Sequence, residues 1–176
     1  MARPSDIDDI MALENVCFNK WTREPENVYR ERIECFPRGF MVIEDAGRIV
    51  GMVSSEIRMH DPSLSAETFA LGHSIKDRLD LSGDELYISS ISILPGHRGK
   101  GYGSILFRAV LDNVLENFGN VRYVVLIVNE NRTDARSIYR KGGFRDIGII
   151  KGFFIEDDGS MSDGMIMRHD RTADRA

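Results

Sequence analysis

The order of patterned segments predicts an α/β (α+β) domain with one mixed sheet and helices on both of its faces. Three observations predict it. β-rich runs alternate with helical runs through the middle of the chain. "VRYVVLIV" is almost wholly apolar, as a strand covered on both faces should be, and "YGSILFRAVLDNVLENFG" repeats apolar residues at helical spacing. The 176 residues suit one domain, 1–176, and 42% hydrophobic content is enough for a core.

In chain order, "SDIDDIMALENVCF" reads as a helix, with Ser5 placed to cap it and Ile7, Ile10, Met11, Cys17 and Phe18 near one face. "REPENVYRERIECF" is a second, with Pro25 in its first turn. Two β-rich runs flank "EDAGR" and form a hairpin. From Arg58 to Asp84 no clean strand pattern appears. That is long for a loop in a compact domain, and it reads either as a surface insertion or as a lid over the substrate, with "ETFALGHSIKDRLDL" as a short helix inside it. "ELYISSISIL" is a strand. The next helix buries Ile105, Leu106, Ala109, Val110, Val114 and Phe118. After the apolar strand, "TDARSIYRKGGF" is a short helix stopped by Gly142 and Gly143, and "FRDIGIIKGFF" and "GMIMRHD" close the sheet.

Composition removes several function classes. A net charge of -5 argues against a nucleic-acid partner. Cys17 and Cys35 form no CxxC pair and no histidine cluster has ligand spacing, so neither a disulfide framework nor a metal is expected, and a cytoplasmic setting is. "MARPSDIDDI" has no apolar run, and no stretch is long and apolar enough to span a membrane. Monomer and homodimer both stay open.

One turn stands out. "SILPGHRGKGYGSILF" places four glycines and three basic residues between a strand and a helix. The first N–H groups of a helix lack internal partners and sit at the positive end of its dipole, so they suit a phosphate. Glycine lets a ligand approach and allows positive φ. A Walker A loop needs G-x-x-x-x-G-K-[ST], which "GHRGKGYG" lacks, and a dinucleotide fingerprint needs G-x-G-x-x-G in the first βαβ unit.

"RGKGYG", Arg98 to Gly103, resembles the R/Q-x-x-G-x-G/A pyrophosphate loop of the GNAT superfamily of acetyl-CoA-dependent N-acetyltransferases. "ISILPGHR" before it and "ARSIYRKGGF" after it are similar to two further segments of that family, at matching spacing, and together they cover Tyr87 to Phe144, about a third of the chain. The resemblance implies the GNAT fold, with its usual first strand very short or missing. It implies acetyl-CoA as co-substrate, its pyrophosphate on Arg98, Gly99, Lys100, Gly101, Tyr102, Gly103 and Ser104. It also implies a pantetheine arm paired with the backbone of Ile91, Ser92 and Ile93. Asn131 and Arg132 stand about where relatives carry an asparagine on the coenzyme.

Acetyl transfer to an amine needs a neutral amine, a stabilised oxyanion and a protonated leaving thiolate. The resemblance assigns Tyr139 as the acid and implies direct attack without a covalent intermediate. Tyr87 matches the tyrosine that deprotonates the amine through water in protein N-terminal acetyltransferases. Their companion histidine, and the glutamate of ribosomal-protein alanine acetyltransferases, fall on Ile127. The paired histidines of arylalkylamine acetyltransferases fall on Tyr87 and Ser89. Glu85, at the strand's start, is a second candidate base, read otherwise as a solvated acid. "GIIKGFFIEDDGSMSDGMIM" resembles the closing hairpin that narrows the peptide entrance, with Phe153 and Phe154 at the narrowing and the acidic turn Glu156–Asp158 drawing a cation. The leading acceptor is therefore a peptide or protein N-terminus. A small amine (an arylalkylamine or a polyamine) and a non-catalytic acyl-CoA sensor are the alternatives.

Overall fold

The computed structural model describes residues 1–171. Six strands run β1 (Phe40–Asp45), β2 (Arg48–Arg58), β3 (Glu85–Ile93), β4 (Tyr123–Asn129), β5 (Arg145–Ile155) and β6 (Met161–Asp170). They form one sheet in the order β1-β2-β3-β4-β6-β5. Every neighbouring pair is antiparallel except β3 and β4, which are parallel. The helices are α1 (Ile7–Cys17), α2 (Glu26–Cys35), α3 (Tyr102–Asn117) and α4 (Thr133–Lys141).

Local chemistry explains most of these bounds. The β1–β2 hairpin turns on Ala46 and Gly47, both with positive φ (51° and 75°), as a two-residue hairpin turn requires. Ser5 does not cap α1. A 3-10 turn, Pro4–Asp6, precedes the helix, and Asp6 accepts the Arg3 N–H instead. The chain's first stretch contributes one backbone hydrogen bond to the sheet, from Ala2 N–H to Phe40 O, in place of a first strand.

The core divides by face. On one face α3 and α4 cover Val53, Leu86, Ile88, Leu126 and Met167 with Leu106, Phe107, Val110, Val114 and Tyr139. Ile105 was expected in that stripe but is 55% exposed. At about 100° per residue it stands about 180° round the helix from Val114, so the sheet cannot bury both. The opposite face is shared. Helices α1 and α2 pack Ile10, Leu13, Tyr29 and Ile33 on Phe40 and Met52. Farther along, Phe69 covers Tyr87, Val125 and Ile166.

Phe69 belongs to the long insertion. Arg58 ends β2, so the insertion begins one residue later than the sequence suggested, and it holds two 3-10 turns, Glu67–Phe69 and Ile75–Asp77, rather than a helix. It is neither a loose surface loop nor, in this structure, an open lid. Arg58 donates to Thr68 O (2.8 Å), Gly72 N–H donates to Glu24 (2.8 Å), and His73 meets Glu56 (2.9 Å).

One irregularity organises everything that follows. β3 and β4 pair only from Glu85↔Tyr123 to Ile88↔Leu126, although both strands continue. At the same point Ile88 pairs with Ser55 of β2 and Ser90 with Ser54, which leaves Ser89 as an extra residue in a β-bulge. A bulge bends its strand and increases its twist. Past Ile88 the two strands part, and the β3 edge that faced β4 lies open.

Candidate active site

The glycine loop leads straight off this open edge. A 3-10 turn, Pro95–His97, follows β3, and Gly101 precedes α3 with φ +82°. Gly99 is also left-handed, at +76°, and a Cβ at either position would meet nothing within 4 Å. Backbone conformation, not crowding, selects glycine there. Among the described residues, the backbone N–H groups of residues 99–104 have no protein acceptor. Unpaired donors at a helix N-terminus suit a phosphate, so the residues present fit the diphosphate of a coenzyme A thioester.

The basic side chains are already engaged. Arg98 donates from Nε to Ile93 O (3.0 Å), where Cys17 Sγ also points (3.5 Å). Lys100 and His97 face Asp45 of the hairpin at 4.0 and 3.7 Å, and the Tyr102 hydroxyl donates to the same carboxylate (2.9 Å). The main-chain N–H groups of residues 99–104 are the donors of this loop that no protein group, among the described residues, opposes. Asn131 turns its amide to Glu156 on the β5–β6 turn, and Arg132 stands exposed at the start of α4. Neither is drawn into the loop.

Tyr139, on α4, is 5% exposed, with its ring against Phe107 (centroids 5.2 Å) and Phe144 (6.1 Å). Its hydroxyl makes no hydrogen bond among the described residues. Burial pushes this phenol well above the ordinary tyrosine value, so it holds its proton firmly at neutral pH. A hydroxyl without a protein partner among the described residues is a place for a ligand atom.

Tyr87 lies on the opposite face, 2% exposed. The Arg58 guanidinium stacks on its ring at 4.3 Å, and Phe69 meets it edge-on at 5.5 Å. Burial raises its hydroxyl too, with Arg58 opposing the shift. Glu85 is not the solvated acid that its place at a strand end suggested. It is 1% exposed, accepts from Arg58 Nε (2.8 Å) and contacts His60 Nδ1 (2.7 Å). Both its oxygens are committed. It also stands four residues before the bulge, about 13 Å along the strand.

Phe153 and Phe154 pack edge-to-face at 4.9 Å. With Trp21, Thr22, Ala66, Ala70 and Leu71 they line a cleft of about 360 Å³ between the α1–α2 loop, the insertion and β5. Asn19 of that loop donates to Ile155 O (2.8 Å), which joins the two walls.

Sequence reasoning missed the buried charge between α1, α2 and the sheet. Glu14, Glu24, Arg32 and Glu56 are each at most 3% exposed. Glu14 accepts from the Tyr29 hydroxyl and from Glu24 N–H, both at 2.8 Å, and Arg32 reaches Glu24 at 3.2 Å. The signal was present: Glu14 and Arg32 fall at apolar phases of their helices, where an unpaired charge is costly.

The parted parallel strands, the left-handed glycine loop and the α3 N-terminus together describe a fold that presents a diphosphate and a thioester arm to a cleft. Comparison with known proteins agrees. The acetyltransferase (GNAT) family model matches residues 7–144, and the chain belongs to that family. It is an acetyl-CoA-dependent acyltransferase of the N-acetyltransferase type. An N-alpha-acetyltransferase of Sulfurisphaera tokodaii is 22% identical over 157 residues, covering 89% of this chain and 85% of its own. The solved GphF GNAT-like decarboxylase, in complex with isobutyryl-CoA, superposes with a TM-score of 0.77 at 25% identity, covering 97% of each chain. Naa20 of Chaetomium thermophilum, solved with a bisubstrate analogue, gives a TM-score of 0.72 at 18% identity, covering 99% of this chain and 87% of that one.

Proposed function

We propose that the chain transfers an acetyl group from acetyl-CoA to the amine at a peptide or protein N-terminus, by direct attack. The single observation that carries the proposal is the run of unpaired N–H groups at residues 99–104 leading from the open β3 edge. The diphosphate binds those N–H groups, and the pantetheine arm lies along Ile91, Ser92 and Ile93 as an added strand. The thioester then falls at the bulge, where a backbone N–H released from the ladder stabilises the oxyanion.

Tyr139 meets the departing sulfur from the α4 side. The burial that holds its proton also raises the basicity of a thiolate placed beside it, so the transfer keeps its driving force. On the other face the acceptor enters past Trp21, Phe153 and Phe154, a cleft walled by aromatic rings. Tyr87 lines the inner end of that face as a positioning group. Its raised hydroxyl and the guanidinium stacked on it make it a hydrogen-bond donor to the acceptor rather than a proton acceptor.

Thiol release from acetyl-CoA across a panel of peptides, arylalkylamines and polyamines tests this reading. Peptides should be favoured in kcat/KM. Preference for a small amine would overturn the peptide assignment alone. Tight acetyl-CoA binding with no release from any acceptor would overturn the transfer itself and leave a sensor.

A further inference from the structure

One wall of the cleft beside Trp21 comes from the insertion. Ala66, Ala70 and Leu71 line it together with Phe153 and Phe154, and all three are exposed. Residues 70–74 lie between the turns Glu67–Phe69 and Ile75–Asp77 and belong to no helix or strand. Among the described residues, no backbone hydrogen bond ties residues 70–74 to the sheet, so side chains must hold this wall. They do so at three points. His73 Nδ1 meets Ala70 O at 2.9 Å, and its Nε2 meets the two oxygens of Glu56 at 3.1 and 2.9 Å. Gly72 N–H donates to Glu24 (2.8 Å), and the Ser74 hydroxyl donates to Glu31 (2.5 Å).

The His73 contact is the one of the three that reaches the sheet. Glu56 lies on β2, is wholly buried, and pairs across the ladder with Tyr87, the residue at the inner end of the proposed acceptor path. Burial by itself would raise the Glu56 carboxyl, but His73, Arg32 of α2 and Arg58 of β2 hold it below the ordinary carboxylate value, so both its oxygens accept. Ala70 O, a carbonyl, also only accepts. Both ring nitrogens of His73 therefore donate, one to the cleft wall and one to the sheet. The His73 side chain is 9% exposed, which shields both bonds from competing water.

We propose that His73 is a positioning residue for the acceptor: it pins Ala70 and Leu71 to Glu56, so that the cleft keeps the width that grips an apolar side chain next to the reacting amine. This inference rests on the peptide-acetylating function above. The chemical class follows from the lining. Ala66, Ala70, Leu71, Phe153, Phe154 and Ile155 present methyl groups and rings, so the cleft favours an apolar side chain over a polar one. Ala66 and Ala70 are small and leave room that a bulkier residue would fill. His73 touches none of the reacting atoms. Its effect falls on where the acceptor sits, and so on KM rather than kcat.

The test compares two peptides that differ only in their first residue, leucine or serine, by thiol release and by amide hydrogen exchange of the whole chain. His73→Gln keeps a polar side chain but has one nitrogen where histidine has two. It should raise KM for the leucine peptide at least about fivefold and for the serine peptide less than about twofold, with kcat and acetyl-CoA affinity within about twofold of wild type. Exchange at residues 66–72 should quicken at least about tenfold, while β3 and α3 stay unchanged. Ala70→Leu, at an exposed position, is the second variant. It fills the cleft and leaves the pin intact, so KM for the leucine peptide should again rise at least about fivefold with exchange at 66–72 as in wild type. Equal KM changes for the two peptides, a loss confined to kcat, faster exchange with unchanged selectivity, or faster exchange through β3 and α3 would overturn the positioning role and leave peptide acetylation standing. A wild-type enzyme that acetylates small amines but neither peptide would overturn the peptide reading and this inference with it.

Discussion

The two halves of the proposed site are built in opposite ways. The coenzyme half is one continuous stretch, β3 through the loop into α3, held by main-chain geometry with its donors open. The acceptor half is assembled from α1, the α1–α2 loop, α2, β2, β3, the insertion and β5, and it is held by side chains, many of them buried and charged. A diphosphate needs only backbone N–H groups in a fixed curve, which a short sequence can specify. Charges in a dry interior must offset one another, and these come from wherever the fold brings them.

This difference can be broken most severely in the acceptor half. Arg58→Met leaves the Glu85 carboxylate buried beside only His60, while Thr68 O keeps its hydrogen bond from Arg78. The expected loss is about 3–5 kcal/mol of stability, read by urea denaturation. Arg58→Met combined with Glu85→Gln should recover most of it. No recovery would show that Arg58 acts through packing on Tyr87 and Phe69 and not through charge.

Glu14 gives the same half a pH signature. Its folded carboxyl titrates near about 7 and its unfolded one near about 4.5, so the native state binds more protons between those values. Stability should therefore be fully present at the acidic end, fall as pH rises through that window, and level off above it. The loss is up to about 3 kcal/mol. Glu14→Gln should remove this component of the slope, and an unchanged slope would assign it to another group.

Across the sheet, Tyr139→Phe removes a hydroxyl that makes no hydrogen bond among the described residues, so its cost should fall on kcat and not on stability. A general acid is worth about 10²–10⁴-fold, or at least about 2.7 kcal/mol of barrier. Near wild-type kcat in a single-turnover measurement would leave Tyr139 as a packing residue.

The coenzyme half is tested with least disturbance at Gly103. A Cβ there makes an ordinary 3.8 Å contact with Ile93, and its φ is not positive, unlike that of Gly101. Gly103→Asp therefore keeps the fold and sets a carboxylate against the diphosphate. Acetyl-CoA affinity, measured by calorimetry, should fall by more than about tenfold, roughly 1.4 kcal/mol. A smaller change would remove the diphosphate from this loop.

The sequence by itself determined what local patterns can carry: the six strands and four helices, the hairpin at Ala46–Gly47, the strand–glycine–helix turn, and the position of Tyr139 in its motif. Each depends on residues close in the chain, whose φ, periodicity and capping act over a few positions. Only the tertiary structure decided the rest. It placed Ile105 outward because the sheet accepts one arc of α3. It buried Glu85 under Arg58 and His60 from the far end of β2 and the start of the insertion. It set the Tyr29 hydroxyl against the Glu14 carboxylate, though the two lie on different helices. Charge pairing and desolvation depend on distances through space, and no spacing along the chain encodes them.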